Sequence, residues 1–271
     1  RFSPLFAAAP IASQILAVVG AITAAFGAIV MLAQPSVKRA LAYSTIAQMG
    51  FMILQCGLGA YGLALLHICA HSLYKAHAFL TAGSTIGAVP RAALPLRTSA
   101  LTVGLLAGGL LVALGTTAVH TLAAGKLAYP GVFSVILVFA TAYVIARAWS
   151  AGGGAYVFAR GVGVALTVTG LSFGLHAAAT LLLRDLPAPT PSNGVVYAVG
   201  AVFALLFLFQ SLLWRTGRHP IGRLLYVHAL NGFYLGTVLN RMLGRLWPAE
   251  PSTHSSSCPI PSLQPAPHRS V

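Results

Sequence analysis

Acidic residues are almost absent from this chain. Asp185 and Glu250 are its two carboxylates, against sixteen Lys and Arg, for a formal charge of +14. Charge of either sign is sparse, at 7% of 271 residues, while 58% are hydrophobic and the mean hydropathy is +0.85. A soluble domain carries about 25% charged residues, so this composition excludes a large soluble core and implies a polytopic membrane protein surrounded by the lipid bilayer. The basic excess does not point to nucleic acid: the Lys and Arg stand singly between apolar spans and form no aromatic-interleaved patch, and they read as topology determinants instead. Cysteine is scarce too. Cys56, Cys69 and Cys258 are too few and too dispersed for a disulfide framework or a metal site, and the first two read as buried small hydrophobes. Nucleotide binding lacks support, because the Gly-rich run Ala151–Ala155 (AGGGA) has neither the following Lys-Ser/Thr nor the strand-to-helix setting of a phosphate loop. A secretory signal is missing as well, since the first apolar run far exceeds the roughly 7–15 residues of a signal core. The chain opens on Arg1 rather than Met, and a fragment or processed piece is expected.

Against a requirement of about 20 apolar residues per spanning helix, seven runs qualify. They cover about Ala8–Ala33, Val37–Leu58, Tyr61–Ile86, Ser99–His120, Gly131–Trp149, Val162–Leu183 and Val195–Leu213. The expected fold is therefore all-α: a transmembrane bundle over 1–213, an amphipathic C-terminal segment over 214–247 and a Pro- and Ser-rich disordered tail over 248–271. Gln34-Pro35-Ser36 separates the first two spans, since proline disfavours helix in the residue before it, and Ser36 is placed to cap the second. Along the amphipathic segment Arg223, Asn231, Arg241 and Arg245 gather on one side, which suits a helix lying on the membrane or docked on a partner. Counting by alternate loops collects Lys38, Arg39, Arg91, Arg97, Arg147, Arg160, Arg215, Arg218 and Arg223 on one side, against Arg1, Lys126 and Arg184 on the other. The positive-inside rule makes the first side cytoplasmic, with the end of the chain inside.

Candidate chemistry concentrates in Tyr61–Ile86, which is apolar enough for a bilayer yet carries His67, His71, Lys75 and His77. His67, His71 and Lys75 stand four apart, so on a helix each is displaced about 40° from the last and all three share about 80° of arc. An ionisable group at mid-membrane depth costs roughly 2.5–3.5 kcal/mol on insertion scales, so such a seam faces protein or water and is a proton-path candidate. The structural alternative is a hydrogen-bonded packing histidine with a lysine that snorkels. On the preceding span Lys38, Ser44, Thr45 and Gln48 fall within about 120°, a second polar stripe that is equally compatible with ordinary interhelical hydrogen bonding. Lys38 itself is either an entry point from the cytoplasmic side or a snorkelling anchor. On the sixth span Thr169, Ser172, His176 and Thr180 share about 80°, with His176 as the titratable member of a line that is otherwise hydroxyls.

At Val37–Gly50 (VKRALAYSTIAQMG), followed by His67-x3-His71-x3-Lys75, the sequence resembles the antiporter-like membrane subunits of respiratory complex I, the subunit 5 or L type, and of multisubunit cation/proton antiporters. Leu54–Gly59 (LQCGLG) and His71–Leu80 (HSLYKAHAFL) are similar to one branch, the membrane subunit of the DAB inorganic carbon accumulation complex of bacteria. His228–Tyr234 resembles that branch's terminal helix. The resemblance implies an antiporter-like bundle with proton transfer along buried Lys, His and Glu. Lys75 would be the central carrier, His71 and His67 its relay neighbours, and Lys38 the basic residue that opens the preceding helix. It implies an energy-coupled inorganic carbon pump in the bacterial inner membrane, with a peripheral, zinc-containing, carbonic-anhydrase-like partner that hydrates CO2. No cofactor is expected in this chain, since His67-x3-His71 lacks a third zinc ligand. Full-length relatives carry a glutamate and a lysine upstream of the matching stretch, so a further N-terminal half is an expected partner. Respiratory subunits also place a lysine on a broken helix after the His/Lys helix, whereas Ser99–His120 has neither proline nor lysine. Two readings stay beside the carbon pump: a subunit of NADH-quinone oxidoreductase or an Mrp-type antiporter, and a non-conducting anchor for a catalytic partner.

Overall fold

The computed structural model describes residues 2–85, 96, 98–122, 131–151, 154–183, 190–213 and 220–246. The tail over 248–271 with Cys258, both acids, and Arg1, Arg91, Arg97, Lys126, Arg184, Arg215 and Arg218 of the orientation count lie outside the described residues. All regular structure among the described residues is helical. A short α1 (Ser3–Ala8) precedes seven long helices: α2 (Pro10–Ala33), α3 (Val37–Gly57), α4 (Tyr61–Thr81), α5 (Thr98–Leu122), α6 (Gly131–Ser150), α7 (Gly154–Leu182) and α8 (Asn193–Leu213). Two further helices, α9 (Pro220–Leu230) and α10 (Leu235–Leu246), follow. Five of them, α2, α5, α6, α7 and α8, are long and apolar enough to cross a membrane. At 21 residues each, α3 and α4 have the length, about 30 Å, but they carry the polar stripes and are less apolar.

Element boundaries follow local chemistry. Pro10 starts α2 at its first position, where a missing N–H costs nothing, so the apolar run expected from Ala8 is divided and its first residues close α1. Ser36 sits at the cap position of α3, but its side chain makes no capping hydrogen bond. α7 begins at Gly154, eight residues before the expected Val162, and takes Arg160 inside the helix; its guanidinium lies 5.8 Å from the centre of the Tyr156 ring, so the charge is carried by an aromatic face rather than by a loop.

Two compact units divide the chain, Arg1–Asn231 and Gly232–Val271. In the first, α2 and α3 interlock. Gly20 and Gly27 on α2 and Gly50 and Gly57 on α3 are each seven residues apart. A Cβ at any of them would run into opposing backbone: Leu54 from Gly20, Ala47 from Gly27, Ala24 from Gly50, Ala17 from Gly57. Close backbone approach at small residues is how helices associate where lipid removes the hydrophobic drive. α6 is the central post: Val132 and Phe133 join Ala17, Ala21, Leu54, Leu58 and Val199 in one core, and Leu137 joins Val112 and Phe173 in another. α4 packs mainly on α3 and α7. Cys69 is consequently exposed, and Cys56 half-buried, where burial was expected for both. The outer surface is apolar, with Ile11, Ile15 and Ile22 on α2, Leu106, Leu110 and Leu114 on α5, and Leu166 and Leu171 on α7 all exposed. Gln34 closes α2 by donating from Nε2 to the Leu230 carbonyl of α9 at 3.0 Å.

The second unit opens with three residues at positive φ, Gly232 (59°), Phe233 (51°) and Tyr234 (57°), before α10. This break separates the expected amphipathic segment into α9 and α10. Arg223 accordingly sits on α9, and Arg241 and Arg245 on α10.

Candidate ion-relay site

The site is built on the α3–α4 hairpin. Its turn is three residues, Leu58 to Ala60, and Gly59 takes a φ of 77°, the left-handed conformation that commonly ends helices. The N–H groups of Leu58, Gly59 and Ala60 donate to the carbonyls of Leu54, Cys56 and Gln55 at 2.8–3.1 Å, so the last turn of α3 is closed on itself. So short a link returns α4 antiparallel along α3.

Side-chain contacts then set the register. Lys75 Nζ donates to the Leu41 carbonyl at 2.9 Å, near the start of α3. Two turns back on α4, the His67 ring meets Phe51 edge-on at 5.6 Å, between Gln48 and Gln55. His67 Nε2 lies 2.8 Å from Gln48 Oε1, and Nδ1 lies 3.2 Å from Gln55 Oε1. His71 stands between, its ring 6.2 Å from that of His67.

Burial gives these groups their chemistry. Lys75 is 6% exposed and His71 9%. No acid lies among the described residues, so the Lys75 ammonium is met by neutral groups, the Leu41 carbonyl and the Tyr74 ring 5.9 Å away. The Leu41 carbonyl also accepts from Thr45 Oγ1 at 3.0 Å. His71 Nε2 is buried with no hydrogen-bond partner among the described residues. An orphaned buried polar atom costs about 1–3 kcal/mol. Beside His67 opens a cavity of about 300 Å³, with His67, Gln55 and Ser172 as its polar lining and Phe51, Leu63 and Phe133 among its apolar walls. At about 30 Å³ per water it has room for several. A smaller cavity of about 160 Å³, with Tyr61, His176 and Thr180, shares Leu63 as a wall.

The structure thus brings together Lys75, His71, His67 and Gln48 of the expected residues. Lys38 is exposed on the first turn of α3, one turn before Leu41, and His77 is exposed on α4. Ser44 is half-buried on α3. His176 is buried on α7 at the smaller cavity rather than on the seam. The hydroxyls flanking it, Ser172 and Thr180, donate to the Val168 and His176 carbonyls of their own helix, so those hydroxyls are satisfied locally. Gln55 is the participant that the stripe from Lys38 to Gln48 did not include. It follows Gln48 by seven residues, about 20° away on the same face, so the signal was there. Among the described residues no three His, Cys, Asp or Glu side chains converge as metal ligands.

A multi-helix apolar bundle with a buried Lys–His seam is the build of an antiporter-like, multi-pass membrane protein. The chain belongs to the family described as NADH:quinone oxidoreductase/Mrp antiporter, transmembrane, whose model matches residues 1–167. Among its relatives is the "Probable inorganic carbon transporter subunit DabB2" of Halothiobacillus neapolitanus, 35% identical over 258 residues, which cover 92% of this chain and 46% of that protein. The "Probable inorganic carbon transporter subunit DabB" of Hydrogenovibrio crunogenus is 52% identical over 85 residues, 31% of this chain and 16% of the relative. NADH-quinone oxidoreductase subunit L of Rhodobacter capsulatus is 47% identical over 89 residues, 33% of this chain and 12% of the relative. The chain therefore spans less than half the length of these relatives.

Proposed function

We propose that this chain is a proton-translocating membrane subunit of an energy-coupled inorganic carbon pump. The observation that carries the reading is the buried line Lys75–His71–His67, with an open nitrogen on His71, inside a bundle whose outside is apolar. Its likeness over 92% of its length to a relative named for inorganic carbon transport supplies the substrate class.

Lys75 is the central carrier. The Leu41 carbonyl holds its ammonium when charged. His71, one turn away, takes the proton, and His67 passes it to the water-sized space beside Ser172. Lys38, at the cytoplasmic end of α3, feeds the line; Gln48 orients His67; Ser44 is a secondary position on the same path, while His77, exposed on α4, and His176, at the smaller cavity, stand off it. The supporting frame is a bacterial inner membrane with the chain's C-terminal end in the cytoplasm. CO2 hydration belongs to a peripheral, zinc-containing, carbonic-anhydrase-like partner subunit, and a further N-terminal half completes the bundle.

The test is inorganic carbon uptake in cells lacking carbonic anhydrase, with the complete operon carrying Lys75 or Lys75→Ala at matched membrane abundance. Uptake lost with the partner still bound is the expected result. Undiminished uptake removes Lys75 from the relay and favours a non-conducting anchor. No uptake from the unaltered chain turns the assignment to a quinone oxidoreductase or Mrp-type subunit, the reading that the likeness to subunit L favours.

A further inference from the structure

His67 sits in a hydrogen-bonding arrangement that can serve either of its protonation states. A neutral imidazole has one N–H and one bare nitrogen, while an imidazolium has two N–H groups. Both His67 nitrogens face side-chain amides, Gln48 at 2.8 Å and Gln55 at 3.2 Å. Two amide oxygens aimed at the ring match the imidazolium. For the neutral ring, one amide must present its NH2 to the bare nitrogen. A glutamine makes that exchange by turning its terminal amide half a revolution, with no movement of backbone or ring.

We infer that Gln48 and Gln55 are positioning residues that hold His67 through both of its protonation states, with the Gln55 amide as the group that turns. Gln55 makes the longer contact and lines the 300 Å³ cavity, where the atom swung away from His67 has space. Gln48 makes the shorter contact and keeps the ring in place. Phe51 between them blocks the ring's face, edge-on at 5.6 Å, and is itself braced by Phe133 and Phe203. With both nitrogens engaged, His67 is not bonded to His71, whose Nε2 stays open; the ring must release an amide to reach it.

The charges around His67 are few. On α4 they are His71 and Lys75; α3 offers Gln48, Phe51 and Gln55; the walls from α6 and α7 are Phe133, Ile136, Leu137, Ala140, Ser172 and Leu175. Among the described residues, no ionisable wall group beyond the seam therefore competes with the two amides for control of the ring. This inference adds to the relay reading but rests on its own geometry.

The experiment follows the ring nitrogens of His67 by 15N NMR in the full chain, histidine-labelled, in lipid bilayers, with the signals assigned by their loss in His67→Asn. Both nitrogens are expected to stay hydrogen-bonded above and below the titration midpoint. Gln55→Met, of equal length but with neither donor nor strong acceptor, weakens proton affinity by up to about tenfold, because the bond to the charged ring is the stronger of the two it removes, and Gln55→Glu, an obligate acceptor, strengthens it by about tenfold or more. Shifts of the same sign, or none, overturn the inference. Gln48→Met and Gln48→Glu read the same opposition should a Gln55 variant fail to assemble. Proton flux in the same vesicles separates the two ideas: opposite NMR shifts with unchanged flux leave the amide pair standing and remove the relay.

Discussion

Lys75 is a buried cation without a buried anion among the described residues, and its replacement distinguishes a carrier from a structural residue. Lys75→Met keeps the length of the side chain, removes the charge, and leaves the Leu41 carbonyl with the Thr45 hydroxyl. Exchanging a buried charge for an apolar group of similar volume is often neutral or stabilising. The variant is therefore expected to lose transport while its thermal midpoint in detergent stays within about 3 °C of the unaltered chain, or rises. A drop of about 10 °C would make Lys75 a structural residue. At this scale the sequence was informative about one helix and poor about two. The four-residue spacing of His67, His71 and Lys75 announces the seam, because helical periodicity is local. What each residue touches depends on the register between α3 and α4, which no periodicity encodes. Gln55 as the partner of His67 and Leu41 as the partner of Lys75 therefore appear only with the hairpin. Lys38 and His77 carried the right chemistry, and the structure leaves both exposed.

Among elements, the α2–α3 pair is the tightest contact and the most exposed to mutation. Gly50→Val would drive a side chain into the backbone of Ala24, where no flexible atom can move aside. Overpacking of this kind costs about 1–3 kcal/mol even in forgiving cores. The expected outcome is a lowered thermal midpoint and reduced membrane abundance. Gly109→Ala, at a position where a Cβ meets nothing within 4 Å, is expected to match the unaltered chain in the same measurements. The seven long helices were legible because an apolar run of spanning length has few alternatives. Their ends were less so. Pro10 explains the division of the first run in hindsight. The early start of α7 was hidden because Arg160 reads as a loop charge, when its stem and the Tyr156 ring let it stand within a helix.

For the whole molecule, the apolar exterior of the first unit and the two-sided α10 of the second point to the same surroundings. On α10, Leu235, Val238, Leu239, Met242, Leu243 and Leu246 cover about 140° of arc, with Asn240, Arg241 and Arg245 on the remainder. A helix of that pattern lies in the membrane interface and is drawn to anionic lipid. A peptide of residues 232–246 is expected to become helical by circular dichroism on vesicles containing anionic lipid. Binding should be weaker on neutral vesicles and should fall as salt rises through the range where the Debye length shrinks below about 10 Å. Equal binding to both vesicle types would assign the basic face to a protein partner. Composition alone had announced a membrane protein. It gave no sign of the break at Gly232–Tyr234, since Phe233 and Tyr234 are residues for which positive φ is rare.

The three-residue turn at Gly59 has a consequence for how the protein is made. Leu41, Gln48, Gln55, His67, His71 and Lys75 all lie on one uninterrupted stretch of chain, so their mutual spacing is fixed by neighbours in sequence rather than by distant partners. Contacts of short sequence separation close early and without a large entropic penalty. The seam is therefore expected to order with the hairpin, before the later helices pack on it. α6 and α7 then add walls and a water-sized space to a line of groups already in order. A truncation late in the chain is thus expected to leave the seam without its enclosure, and a disrupted turn to leave the enclosure without its seam.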